Sequence, residues 1–198
     1  MSHAVHPIEA ESYRILRARI DLSHLPALTR AVTERVVHAS ADLEYADTLL
    51  TDEDALRAGR QALLAGSPIV CDTRMVAGGI TRREATVPLL DPRAAQLATR
   101  EGITRTAAAM RLAVEETGAG AVWVVGNAPT ALFELLERPP RDPALIVGLP
   151  VGFVGAAEAK AALAASGLPC VANRGEKGGS AVAAAAVNAL LYFDEAAS

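Results

Sequence analysis

Arg35-Val36-Val37-His38-Ala39-Ser40-Ala41-Asp42 holds the group best suited to chemistry in this chain, the imidazole of His38. At about 100° per residue, Val32, Val36, Ala39, Leu43, Ala46 and Leu50 form one apolar stripe. His38 falls outside it, on the face that carries Glu34, Arg35, Asp42 and Tyr45. Glu34 and Asp42 stand one helical turn before and after it, so an unbroken helix would set two carboxylates beside one imidazole. Their field favours the imidazolium form, which a proton donor needs. A solvated surface histidine satisfies the same pattern. The rest of the chain has to separate the two.

Two short segments, Thr81-Arg82-Arg83 and Thr104-Arg105-Thr106, each put a hydroxyl beside a guanidinium. Arginine presents a planar fork that suits carboxylates. Several such forks in a chain of net charge −4 suggest a small polyanion rather than a polymer. Three further segments follow apolar runs and lead into helical patterns. Gly126-Asn127-Ala128-Pro129-Thr130 offers Asn127 and Thr130 beside the free N–H groups of a helix start. Asn173-Arg174-Gly175-Glu176-Lys177-Gly178-Gly179-Ser180 joins glycines, a basic pair and a hydroxyl, which suits an anion. Solvated Arg174 and Lys177 are the plain alternative. The glycines of Gly148, Gly152 and Gly155 do not have dinucleotide-fingerprint spacing, and tight turns explain them equally well.

Behind these residues stands a chain of 198 residues, enough for a single domain, 1–198, with a good core. Its hydrophobic content of 51% with only 4% aromatics predicts close packing of Ala, Val and Leu. The acidic balance and the lack of a dense Lys/Arg block argue against nucleic acid and against an anionic membrane surface. Cys71 and Cys170 are far apart, with neither CxxC nor metal-finger spacing. Both read as buried, reduced thiols of a cytoplasmic protein. The opening residues, 1–7, lack the charged start and apolar stretch of a signal peptide, and no run reaches membrane-spanning length.

The elements that must carry the site follow from periodicity. Helices are expected at 7–20, along the whole of 26–50, and at 53–65, where Gly66 stops the last of them. A short apolar run over 68–72 follows, then a strand or irregular stretch over 80–90 and a helix over 93–100. Beyond that, helices at 104–116, 129–137, 156–165 and 179–191 alternate with apolar strands at 121–125, 144–147 and 169–172. That alternation predicts a single α/β domain with a mainly parallel sheet, helices on both faces and an N-terminal helical extension. In such sheets ligands gather outside the carboxyl ends of the strands, where the polar loops fall.

Taken together, the segments resemble the precorrin-8X methylmutase (precorrin isomerase) family of cobalamin biosynthesis. The matching stretches are Ser12-Tyr13-Arg14-Ile15-Leu16-Arg17, Val36 to Ser40, Cys71-Asp72, Met75-Val76, Gly79-Ile80-Thr81-Arg82 and Thr104-Arg105-Thr106. The C-terminal half adds Gly126 to Leu132, Gly148 to Glu158 and Arg174 to Ser180. They span nearly the whole chain in the family's order. Two positions depart from the pattern: Ala159 stands where a Glu-Ser-Lys motif has serine, and Ala41 where some members have glycine.

The resemblance implies a homodimer with its active site near the subunit interface, acting without metal catalysis or an organic cofactor. It implies a methyl shift from C-11 to C-12 of a tetrapyrrole, precorrin-8X or cobalt-precorrin-8X, giving hydrogenobyrinate or cobyrinate. On it, His38 falls on the catalytic histidine as proton donor. The implied substrate-binding set comprises Ser12, Arg17, Thr81, Arg82, Thr104, Arg105, Thr106, Asn127, Thr130, Arg174, Gly178 and Ser180. A tetrapyrrole-binding carrier without turnover would share the carboxylate clamps but would not need an acid at His38. A nucleotide-binding α/β protein would instead use 148–155 as a phosphate cradle.

Overall fold

The computed structural model describes residues 6–194. The chain opens with α1 (Pro7–Arg19), whose first turn is capped by the His6 side chain, and α2 (Ala27–Ser40). Then come α3 (Tyr45–Thr48), β1 (Leu49–Thr51), α4 (Glu53–Ala65), β2 (Ile69–Cys71) and α5 (Arg74–Gly79). After a 3₁₀ turn at Pro88–Leu90 follow α6 (Pro92–Glu101), α7 (Arg105–Glu116), β3 (Val122–Val125) and α8 (Pro129–Glu137). The last elements are β4 (Leu145–Gly148), α9 (Ala156–Ala165), β5 (Cys170–Asn173) and α10 (Ser180–Tyr192).

The sheet order is β1-β5-β4-β3-β2, parallel throughout except for β1, which runs antiparallel to β5. Side chains alternate between the two faces, as the pleat requires. Cys71, Val122, Val124, Leu145, Val147 and Val171 point to the face covered by α2, α4 and α10. Val70, Trp123, Val125, Ile146 and Ala172 point to the face covered by α7, α8 and α9. Connections after β3 and β4 lead to the second face, whereas those after β2 and β5 lead to the first. Loops that part company in this way open crevices at the strands' carboxyl ends.

The expected α/β domain with helices on both faces and an N-terminal helical extension is what the chain forms. Two local expectations do not hold. The stretch 26–50 is not one helix: α2 stops at Ala41, whose φ of 54° and ψ of 24° lie in the left-handed region. The expected stripe therefore breaks, and Ala39 and Leu43 are exposed while Val32, Val36 and Val37 are buried. The segment beyond the break supplies β1, an antiparallel edge not anticipated from the alternation of the later elements. Between Ile80 and Val87 the chain is irregular, one of the two forms expected there, with one parallel bridge from Thr86 to Val70. Cys170 is half-buried rather than fully enclosed, while Cys71 is buried, and both thiols are free.

Candidate active site

His38 lies on α2 where α1 crosses it. Nδ1 of His38 is 2.9 Å from the Ser12 hydroxyl oxygen, and the Tyr13 ring stacks on the imidazole at 4.7 Å and 12°. Nε2 makes no hydrogen bond to any described residue. Leu16 buries α1 against the core, and Arg17 fixes its angle by a two-pronged contact with Glu34, both bonds 2.8 Å. Burial raises the Tyr13 phenol above its ordinary pKa, and the Arg35 guanidinium beside it opposes that rise.

The two carboxylates expected to flank His38 are engaged elsewhere. Glu34 is held by Arg17, and Asp42, beyond the helix end, accepts from Lys177 at 2.6 Å. Lys177 also bonds Glu44, and this pairing holds the Asp42 carboxyl below its usual range. Arg17 is accordingly a strut for α1, with its fork already filled.

Below His38, the side chains of α2 and α10 meet those of 81–82. Thr81 receives support from α10 twice: its N–H donates to Asn188 Oδ1 at 3.2 Å, and its hydroxyl is 2.9 Å from the Tyr192 hydroxyl. Arg82 donates to the Leu191 carbonyl at 2.8 Å and lies 3.9 Å from the Tyr192 ring centroid. Arg35 approaches the same ring at 5.0 Å. Arg83, by contrast, is bound to the Leu63 and Ser67 carbonyls and plays a structural part.

At the strands' carboxyl ends, Asp72 ties two loops together. Its buried carboxylate accepts from the N–H groups of Gly126, Asn127 and Ala128 at 3.2, 2.8 and 2.9 Å. Burial raises its pKa, and these donors pull it back down. Asn127 is thereby placed through its backbone, with its side chain at the surface. The hydroxyls of Thr104, Thr106 and Thr130 form a triangle with sides of 2.8 to 3.1 Å where α7 and α8 begin. Arg105 beside them is exposed and, among the described residues, hydrogen-bonds the Leu89 carbonyl at 3.4 Å.

Residues 173–179 form a loop packed tightly against 149–152. Gly178 has no room for a side chain: a Cβ there would lie 2.4 Å from the carbonyl oxygens of Leu149 and Pro150. Gly178 borders a cleft of about 400 Å³ together with Ser40, Tyr45 and Val182. Ser180 is buried at the start of α10. Arg174 donates to the Asp47 carbonyl at 3.1 Å and Lys177 is paired with acids, so the expected basic pair braces the loop and does not stand free. From beneath, the fully buried Lys160 of α9 donates to Asn173 Oδ1 at 3.0 Å and to the Lys177 carbonyl. Burial pushes the Lys160 amine down to about 8, with Glu176 countering part of that.

Of the expected residues, Ser12 and His38 touch, and Thr81 and Arg82 meet α2 through Arg35 and Tyr192. Gly178 and Ser180 sit around the start of α10, facing the end of α2. Thr104, Arg105, Thr106 and Thr130 belong to elements of the opposite sheet face and make no contact with His38 within one chain. Tyr13, Arg35, Tyr192, Asp72 and Lys160 were not anticipated. Lys160 carried a usable signal, a lone cation in the Ala-rich run of α9. Arg35 carried another, since three residues before His38 puts it on the same helix face.

A parallel sheet flanked by helices, with an imidazole on a crossing helix pair and polar loops at the strand ends, is the build of an α/β enzyme. Residues 7–193 match the family model described as precorrin-8X methylmutase. The precorrin-8X methylmutase of Sinorhizobium sp. is 46% identical over 195 residues, covering 92% of each chain. The cobalt-precorrin-8 methylmutase of Salmonella typhimurium is 44% identical over 197 residues, covering 93% of each. A solved precorrin-8X methylmutase from Thermus thermophilus superposes with a TM-score of 0.84 at 36% identity, covering 94% of this chain and 96% of that one. The chain belongs to the precorrin-8X methylmutase family and is an isomerase of cobalamin biosynthesis.

Proposed function

We propose that this enzyme moves a methyl group from C-11 to C-12 of precorrin-8X or cobalt-precorrin-8X, yielding hydrogenobyrinate or cobyrinate, with His38 as the proton donor. The observation that carries the reading is the Ser12–His38–Tyr13 arrangement, which holds one imidazole nitrogen and leaves Nε2 free. In the imidazolium form, Nδ1–H donates to the Ser12 oxygen and Nε2–H is available to the macrocycle. The bond made at one nitrogen decides the role of the other. A proton delivered to the conjugated ring system makes it electron-poor and eases the sigmatropic shift. The proton then returns to Nε2, so the product is an isomer of the substrate. Placed proton transfer of this kind contributes about 10²–10⁴-fold. Cobalt, where present, belongs to the substrate.

Carboxylates around the macrocycle rim supply the anions for Arg82, Arg105, the hydroxyls of Thr81, Thr104, Thr106 and Thr130, and the loops at Asn127 and at Gly178 and Ser180. Because these groups occupy opposite faces of the sheet, a homodimer is the economical way to gather them round one ligand. Met75, Val151, Phe153 and Val154 support that assembly, since all are exposed apolar residues near the strand-end loops, Phe153 at 96%. The free thiols of Cys71 and Cys170 favour a reducing, cytoplasmic setting. No helix among the described residues is long and apolar enough to cross a membrane.

The test is His38→Asn. Turnover, followed by the visible spectrum of the product, is expected to fall at least about 100-fold, while hydrogenobyrinate still binds. Undiminished turnover would remove the mechanism. Wild-type protein that binds hydrogenobyrinate but converts no precorrin-8X would establish the carrier reading instead.

A further inference from the structure

We propose that Arg35, Tyr192 and Arg82 form a carboxylate subsite that holds the rim of the substrate one helical turn below His38; the inference rests on the tetrapyrrole reading above. Two guanidinium groups lie within 5.0 Å of a single ring centroid, Arg82 at 3.9 Å and Arg35 at 5.0 Å. The ring cannot drift from under them. Its hydroxyl is 2.9 Å from the Thr81 hydroxyl, and Asn188 fastens that segment by accepting from Thr81 N–H and donating to the Gly79 carbonyl at 2.7 Å. Stacking on an aromatic face orients a guanidinium while leaving its N–H edge open.

Charge around the pair is out of balance. Arg82 has no carboxylate within ion-pair distance among the described residues, and one of its donors is occupied by the Leu191 carbonyl. Arg35 has, among the described residues, Glu9 as its one ion-pair partner, at 3.8 Å. Two neighbouring cations with so little compensation form a ready receptor for an anion, and a planar carboxylate matches a guanidinium edge in two parallel bonds. Position identifies the anion. Arg35 precedes His38 by three residues, about 4.5 Å along the helix, and lies beside the phenol of Tyr13, whose ring covers the imidazole. A macrocycle with its reacting edge at His38 would therefore extend an acetate or propionate over Tyr192. Neither Arg35 nor Tyr192 was expected on the substrate from their sequence positions.

The experiment titrates hydrogenobyrinate, and the same corrin with its rim carboxylates amidated, into wild-type protein, Arg35→Gln/Arg82→Gln, Tyr192→Leu and Arg82→Lys. Wild type is expected to prefer the acid. The double variant should bind the acid at least tenfold more weakly, lose most of that preference and show a flatter dependence on salt. Tyr192→Leu should follow it, because the forks lose their support. Arg82→Lys keeps the charge and the packing but not the fork, and should fall between. Unchanged selectivity in the double variant, with wild type binding normally, would overturn the subsite alone. Wild-type protein that binds neither corrin would overturn the tetrapyrrole reading on which it stands.

Discussion

The Ser12 hydroxyl and the His38 imidazole share a 2.9 Å hydrogen bond across two helices, twenty-six residues apart in the chain. This contact, rather than a pair of carboxylates, holds the ring of the histidine. Removing it frees the ring to rotate under Tyr13 and, on the proposed mechanism, to turn either nitrogen toward the substrate. Ser12→Ala is expected to lower kcat about tenfold, part of the 10²–10⁴-fold ascribed to the acid itself. KM should change little. Single-turnover kinetics would check this, and an unaltered rate would show that Tyr13 stacking alone orients the ring.

Ala41 ends α2 in the left-handed region at φ 54°. An L residue with a Cβ is strained there by roughly 1–2 kcal/mol, and glycine is not, although glycine loses more entropy on folding. Ala41→Gly should therefore stabilise the fold by about 0.5–1 kcal/mol. Urea unfolding would measure it, and a destabilisation would show that the helix end is set by something other than the backbone of this residue.

That same position explains what could and could not be read from the chain. The strands 121–125, 144–147 and 169–172 were legible because a parallel strand covered on both faces is apolar at nearly every position. The end of α2 was not, because alanine at position 41 conceals a left-handed cap that glycine would have advertised. Without that break in the pattern, Asp42 falls on the His38 face and β1 is hidden within a helical periodicity. His38 was legible as a polar residue off an apolar stripe. Its partners Ser12 and Tyr13 touch it only because α1 folds back over α2. Tyr192 meets Arg35 and Arg82 across more than a hundred residues, a distance over which periodicity carries no information.

Asp72 collects three N–H groups from the loop that opens α8. Each buried donor left without an acceptor costs about 1–3 kcal/mol. Only the Gly126 donor is fully buried, so Asp72→Ala is expected to cost about 1–3 kcal/mol, seen as a lower urea midpoint. Asp72→Asn retains one acceptor oxygen but turns a donor toward the N–H groups, and should lose somewhat less. A loss under about 1 kcal/mol for Asp72→Ala would mean that solvent replaces the carboxylate.

Lys160 makes the most exacting prediction, because its sign is set by the direction of one pKa. The folded amine titrates at about 8 and an ordinary lysine at 10.5. Below about 8 both the folded and the unfolded chain carry the proton, and the full cost of burying the charge is present. Between about 8 and 10.5 the unfolded chain binds more protons than the folded one, so stability rises with pH over that window. Above it both are neutral and the rise is complete. Other titrating groups, including the buried thiol of Cys71, are shared with a Lys160→Met variant and cancel in the comparison. The stability of the wild type relative to Lys160→Met is thus expected to increase by about 1–3 kcal/mol from pH 8 to 10.5. Urea titrations of both proteins across that range would measure it. Parallel profiles would mean that the amine keeps its ordinary affinity for protons, and that the 173–179 loop is not built over a strained cation.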